Sequence, residues 1–289
     1  MLKEIRIWTA ERPLTVSAVL LLMALVYFVA PVVYNDPTNL FGHGRQEQGA
    51  EDFATSLWPE LCLAGVLLAI VVLIGWVRST CLTTRLHIGP IFLAVPYILF
   101  VIFIASSPAL LALSQDREII LTPAEWQVVW VACLAAFLVG FFEELLFRGV
   151  LLHGLRARMA AVPAVLVAAV IFGSFHFVNW VNGQPLDATV AQVSGAAGGG
   201  VFYGAMVLWT GSIWPSVMLH GLWDSGVTIS QTLAAKSPVV SDQVPDTDAN
   251  ASAGLSLWEA LLSPEMIYGL LLLFAWWLWS GRRKKAKTA

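Results

Sequence analysis

Eight apolar runs recur along this chain, each close to the ~20 residues that a helix needs to cross a bilayer. They fall at 13–34, 58–77, 89–113, 126–150, 163–181, 189–210, 213–233 and 264–280. The chain is 58% hydrophobic and 12% charged, about half the charge of a soluble domain. These features predict an all-α, polytopic membrane helix bundle of about eight transmembrane helices, built as one membrane domain over 1–289. The first run is too long for the apolar core of a signal peptide, and no small-x-small cleavage site follows PVVYNDP, so it is expected to remain as the first helix. The stretches 35–57 and 234–255 are acidic and rich in Gly, Pro, Ser and Asp, and read as exposed loops. Cys62 and Cys133 lie in apolar runs and Cys81 in a short polar turn, a pattern of neither disulfides nor a zinc knuckle.

Charge placement sets the topology. With a cytoplasmic N-terminus, Lys3, Arg6, Arg12, Arg78, Arg85, Arg148, Arg156, Arg158, Arg282, Arg283, Lys284, Lys285 and Lys287 fall on or toward the cytoplasmic side. Only Arg45, Arg117 and Lys236 fall outside, thirteen against three of the chain's 16 Lys and Arg. That is a strong positive-inside bias. An odd number of spans would carry the tail GRRKKAKTA outside, so eight spans with both termini cytoplasmic is the consistent count. The net charge of −3 says little, because the signs are segregated along the chain. The partners implied are the lipid bilayer and molecules within it, with no nucleic acid.

Ionisable residues inside such runs are costly and mark function by default. The fourth run ends in FFEELLFRGV. Glu144 and Arg148 are four apart and share a face, while Glu143 is rotated by ~100° from Glu144. The fifth run carries FGSFH, with Phe172 and His176 four apart. The seventh carries HGLWD, with His220 and Asp224 four apart. Glu143 and His176 lie at nearly equal chain distances on either side of the turn near residue 160, ~25 Å along their helices, and His220 is ~12 Å into its own. Part of the ~25 Å is cytosolic extension, because the apolar run ends near Val150, so the three can meet in the cytoplasmic half of the bilayer. Taken singly, each has a structural reading: a Glu–Arg packing clamp, a histidine bridging helices, an aspartate orienting a histidine.

EELLFR resembles the EExxxR motif of the CPBP family, which includes the CAAX prenyl endopeptidases and the bacteriocin-processing and abortive-infection-type membrane proteins. FGSFH resembles its FxxxH motif, and HGLWD, within TGSIWPSVMLHGLWD, its HxxxN/D motif. The order and spacing agree over 126–233, which the resemblance makes a catalytic core of four central helices. Where many members have Asn, this chain has Asp224. The resemblance implies an intramembrane endopeptidase of glutamic type. Glu143 and His176 would activate water, and His220 and Asp224 would stabilise the oxyanion. Glu144, Arg148 and Phe172 would hold and tune the site. No cofactor is implied. The substrate would be a membrane-associated protein or peptide, cleaved in a C-terminal, leader or sorting segment. The short loops and basic tail suggest a prokaryotic cytoplasmic membrane. Three alternatives stay open: a zinc metallopeptidase using Glu143, His176 and His220, a transporter whose carboxylates and histidines relay ions, and a non-enzymatic scaffold.

Overall fold

The computed structural model describes residues 1–35, 50–237 and 263–288. Residues 36–49 and 238–262, which hold most of the two acidic stretches, lie outside the described residues. Every regular element among the described residues is helical. A short helix α1 (Leu2–Glu11) precedes α2 (Pro13–Asn35) and α3 (Ala50–Leu73). A 3₁₀ turn (Gly89–Ala94) leads into α4 (Val95–Leu113). Helix α5 runs through Pro123–Arg156, followed by α6 (Ala161–Phe175), the five-residue α7 (Phe177–Val181), α8 (Leu186–Thr210), α9 (Trp214–Lys236) and α10 (Pro264–Thr288).

Each apolar run thus carries a long helix, but the ends differ from expectation. Helix α3 starts at Ala50, inside a stretch read as loop, and α10 continues through the basic tail to Thr288. Four helices are long and apolar enough to cross a membrane among the described residues: Pro13–Ala30, Gly89–Leu113, Pro123–Arg156 and Ala161–Val181. The chain is a multi-pass membrane protein by this measure, without reaching a count of eight. The apolar part of α3 is shorter, Leu57–Leu73. Helices α8 and α9 fall short because glycines, hydroxyl residues, His220 and Asp224 dilute their apolar character.

The central helix α5 owes its start to a capping box. Glu125 Oε2 accepts from the Thr122 backbone N–H at 2.8 Å, and Thr122 Oγ1 accepts from the Glu125 N–H at 3.3 Å, with Pro123 in the first turn, where its missing N–H costs nothing. Lys236, at the end of α9, pairs with Glu125 and ties the two helices together there. At the opposite end α8 stops at Gly211, whose φ of 72° is left-handed and suits glycine. The loop 74–88 closes over that turn. Thr84 Oγ1 donates to Gly211 O, His87 N–H to Thr210 O at 2.9 Å, Ile213 N–H to Cys81 O at 3.2 Å, and Trp214 Nε1 to Leu82 O at 2.9 Å. Arg6 of α1 reaches the same end, donating to Leu73 O at 2.9 Å. Arg6 and the 74–88 loop, which carries Arg78 and Arg85, therefore meet at this end of the bundle.

Helix α8 packs between α6 and α10, and α9 between α4 and α5. Small residues permit these approaches. A Cβ on Gly140 of α5 would stand 3.1 Å from the backbone nitrogen of Gly221 of α9, and one on Gly269 of α10 would stand 2.6 Å from that of Phe202 of α8. In the SGAAGGG run, Gly198 faces Met266 of α10 and Gly200 faces Ala169 of α6, so these two glycines serve close helix contact. Gly269→Ala is expected to destabilise the bundle by about 1–3 kcal/mol, since backbone cannot yield as a side chain does. A lowered thermal midpoint of the detergent-purified protein, followed by size-exclusion chromatography after heating, checks this.

Candidate active site

The site is built on α5, α6 and α9, with walls from α2 and α8. Directly after Glu144 the α-helical hydrogen-bond pattern widens into a π-helical turn, Leu145–Leu151, whose seven residues are all buried. Such turns insert a residue into a helix and are frequent at functional sites. Nothing in the sequence announces it. Arg148 sits within it and is held by Glu144, Nη1 to Oε1 at 2.8 Å, both side chains almost wholly enclosed. The guanidinium is also sandwiched by aromatics, with Cζ 4.1 Å from the Phe172 ring centre and 5.3 Å from that of Tyr203. Cation–π attraction is strongest in such desolvated settings. The expected Glu144–Arg148 pair is present, with one addition. Glu144 Oε1 also accepts from His220 Nδ1 at 3.0 Å, a contact across 76 residues of sequence that no local spacing could indicate.

Three carboxylates surround His220. A carboxylate only accepts, so its bond to Glu144 puts the proton on Nδ1 and fixes the ring orientation. Nε2 then faces Glu143 Oε2 at 3.5 Å and Asp224 Oδ2 at 3.6 Å, separations too long for good direct hydrogen bonds. The sequence reading has Asp224 orient His220 from one turn away. Glu144 is the nearer one. Tyr203 lies flat on the imidazole, ring centres 5.0 Å apart at 16°. Its hydroxyl meets that of Tyr97 at 2.8 Å, which satisfies two buried phenols at once.

His176 is placed by the end of a helix. Its backbone N–H bonds to Gly173 O at 3.0 Å rather than to Phe172 O, which frees that carbonyl. The side chain takes the vacated role, with Nδ1 3.1 Å from Phe172 O. A carbonyl only accepts, so Nδ1 carries the proton and Nε2 keeps its lone pair. The expected face shared by Phe172 and His176 thus works through a backbone carbonyl as well as ring contact. Phe172 meets His176 edge-on at 5.2 Å and His220 at 5.9 Å.

Glu143, His176, His220 and Asp224 line one cavity of about 260 Å³. Its remaining walls include Phe28 of α2, Phe175, Asn179 and Gln192, the last two joined at 2.9 Å. Glu143 and His176 face this space without forming an ion pair with each other. Among the described residues no three His, Cys, Asp or Glu side chains are placed to hold a metal ion. Sequence reasoning missed Phe28, Tyr97, Asn179, Gln192 and Tyr203. Of these only Tyr203 carries a signal, a phenol in a span of small residues that must find a partner once buried.

Arg148→Ala is expected to reduce the amount of folded protein in the membrane, at a cost of roughly 3–5 kcal/mol for leaving Glu144 buried without its cation. Quantitative immunoblotting of membranes together with thermal stability of the purified protein measures this.

Residues 125–226 match a family model described as type II CAAX prenyl endopeptidase Rce1-like. The chain thus carries an Rce1-like segment, in agreement with the CPBP resemblance of its three motifs. No curated protein and no solved structure matches the chain.

Proposed function

We propose that this Rce1-like membrane protein is a metal-free glutamic endopeptidase that cleaves a membrane-associated protein or peptide, with a catalytic core over 126–233 of a single membrane domain. The observation that carries this reading is the convergence of Glu143, His176, His220 and Asp224 on one cavity from three helices. The family match supports an intramembrane CAAX-type endopeptidase in general.

In the proposed reaction a water enters between Glu143 and His176. Glu143 takes a proton as the water oxygen attacks the scissile carbonyl carbon, and His176 presents its free Nε2 to the same water. General-base assistance of this kind contributes about 10²–10⁴-fold. The carbonyl oxygen becomes an oxyanion and accepts from Nε2–H of His220, which acts here as an imidazolium protonated on both nitrogens, its direction fixed by the Nδ1–H bond to Glu144. A preorganised donor of this type is worth about 10²–10³ in rate. Asp224, beside Nε2, holds the imidazole for that task. Collapse breaks the C–N bond and returns the proton from Glu143 to the leaving amine.

Glu143→Ala, His176→Ala and His220→Ala are each expected to abolish cleavage without loss of protein from the membrane, and a double variant to be scarcely worse than a single one. Asp224→Asn should retain partial activity with an altered pH profile. Activity should persist after prolonged exposure to a strong chelator. Loss with chelator and recovery with zinc would make the enzyme a metallopeptidase, and wild-type biological output from Glu143→Ala would make it a scaffold. Comparison of the membrane proteome of a deletion strain with its parent identifies the substrate, for which the candidates are C-terminal CAAX peptides, leader peptides, anchor tails and sorting signals.

We infer eight crossings with both termini cytoplasmic from the positive-inside bias, and a prokaryotic membrane from the short loops and basic tail. Reporter fusions at the C-terminus and within 234–255 are expected to read cytoplasmic and external, respectively. An external C-terminus would reject this topology.

A further inference from the structure

A second set of cavities meets at Arg156, away from the residues assigned to cleavage. On one side of Arg156 lies a polar cavity of about 240 Å³, lined by Ser79, Cys81, Arg148 and His153 among others. It contains two guanidinium groups, an imidazole and a hydroxyl, and no carboxylate. Burial pushes the Cys81 thiol above its ordinary range, so it stays neutral and adds no negative charge. Arg148, at the inner end, is almost wholly buried and holds Glu144 through Nη1 at 2.8 Å.

On the other side of Arg156 a groove of about 1120 Å³ runs between α6 and α10. Its walls are apolar, with Leu166, Leu270, Phe274 and Trp277 exposed along it, and Arg282 stands at the same end as Arg156. No acidic residue lines the groove, and neither Arg156 nor Arg282 forms an ion pair among the described residues. An isolated lipid-facing groove would accept any acyl chain. Here the apolar groove and the cationic cavity share one residue, so the best occupant is an amphiphile with an anionic head. Basic pockets between membrane helices bind anionic head groups in this manner.

We propose that Arg156 marks the binding site of an anionic glycerophospholipid, its phosphate at Arg156, the residue that the two cavities share, and an acyl chain in the groove between α6 and α10. Arg282 holds the head group from the other helix. The site differs in residues and ligand from the cavity proposed for peptide cleavage and does not depend on that function. It does reach the same ion pair, because Arg148 lines the lipid cavity and bonds to Glu144.

The test uses the full chain, purified in a neutral detergent after reconstitution into vesicles of phosphatidylcholine alone or of equal parts phosphatidylcholine and phosphatidylglycerol. Retained lipid is measured by native mass spectrometry, and thermal midpoints are recorded in parallel, with inorganic phosphate as a separate arm. Phosphatidylglycerol is expected to be retained in preference and to raise the midpoint. Arg156→Gln and Arg282→Gln should each lower its retention about five-fold, the share of one cation at a membrane surface, while Arg12→Gln on α1 leaves it unchanged. Arg282 is exposed near the end of α10, so its variant tests the site even if Arg156→Gln folds poorly. Equal retention of both lipids, or undiminished retention by the Arg282→Gln protein, overturns the proposal. A full stabilising effect from inorganic phosphate alone also overturns it, in favour of a small-anion site.

Discussion

One carboxylate oxygen organises the centre of this protein. Glu144 Oε1 accepts from Arg148 at 2.8 Å and from His220 at 3.0 Å, with all three side chains buried in the helix bundle. A buried charge without its partner costs several kcal/mol, so the three groups stand or fall together. The aromatic rings around them follow from that arrangement. Phe172 and Tyr203 cover the guanidinium, Tyr203 lies on the imidazole, and Tyr97 satisfies the Tyr203 hydroxyl. The π-helical turn from Leu145 to Leu151 carries Arg148 within this enclosure, and Gly200 leaves the space for it, since a Cβ there would stand 3.3 Å from Nη2.

Much of this architecture was legible in the sequence because membrane helices obey a simple rule. A segment must satisfy its own backbone and present apolar side chains, so the runs stand out and each carries a helix. The candidate site residues were legible for the same reason. Glu143, Glu144, Arg148, His176, His220 and Asp224 are conspicuous because a charge in an apolar run has no other excuse. What escaped was whatever lacked that contrast. Phe28 is one apolar residue among many on α2, and its place in the cavity wall depends on how α2 packs against α5 and α7. Asn179 and Gln192 lie near the α7–α8 connection and read as ordinary polar positions. The bond between Glu144 and His220 depends on the tertiary arrangement of α5 and α9. The ends of α3 and α10 escaped because hydropathy falls before the helix does.

The break between α6 and α7 shows how local backbone chemistry serves the proposed reaction. A continuous helix would have used Phe172 O for its own ladder and left both nitrogens of His176 without direction. Ending the helix at Phe175 gives Nδ1 a fixed acceptor, so Nε2 is committed to the cavity. His220 solves the same problem differently, with a carboxylate in place of a carbonyl. Two imidazoles with opposite tasks thus receive different supports, one neutral and one charged.

The fastening of α5 to α9 has a mechanical consequence. The two helices are tied by Lys236 and Glu125 at one end. At the other, the 74–88 loop bonds to the start of α9 and lays Thr80 against Gly149 of α5. Between these ties Gly140 meets the backbone of Gly221. Glu143 and His220 therefore sit on a stiff beam whose spacing a guest molecule cannot pry apart. The opposite wall is held by side chains instead, Phe28 against Phe142 and Phe175 and Asn179 on Gln192. Substitutions in that wall can change the shape of the cavity, while the beam that bears the ionisable groups keeps its dimensions.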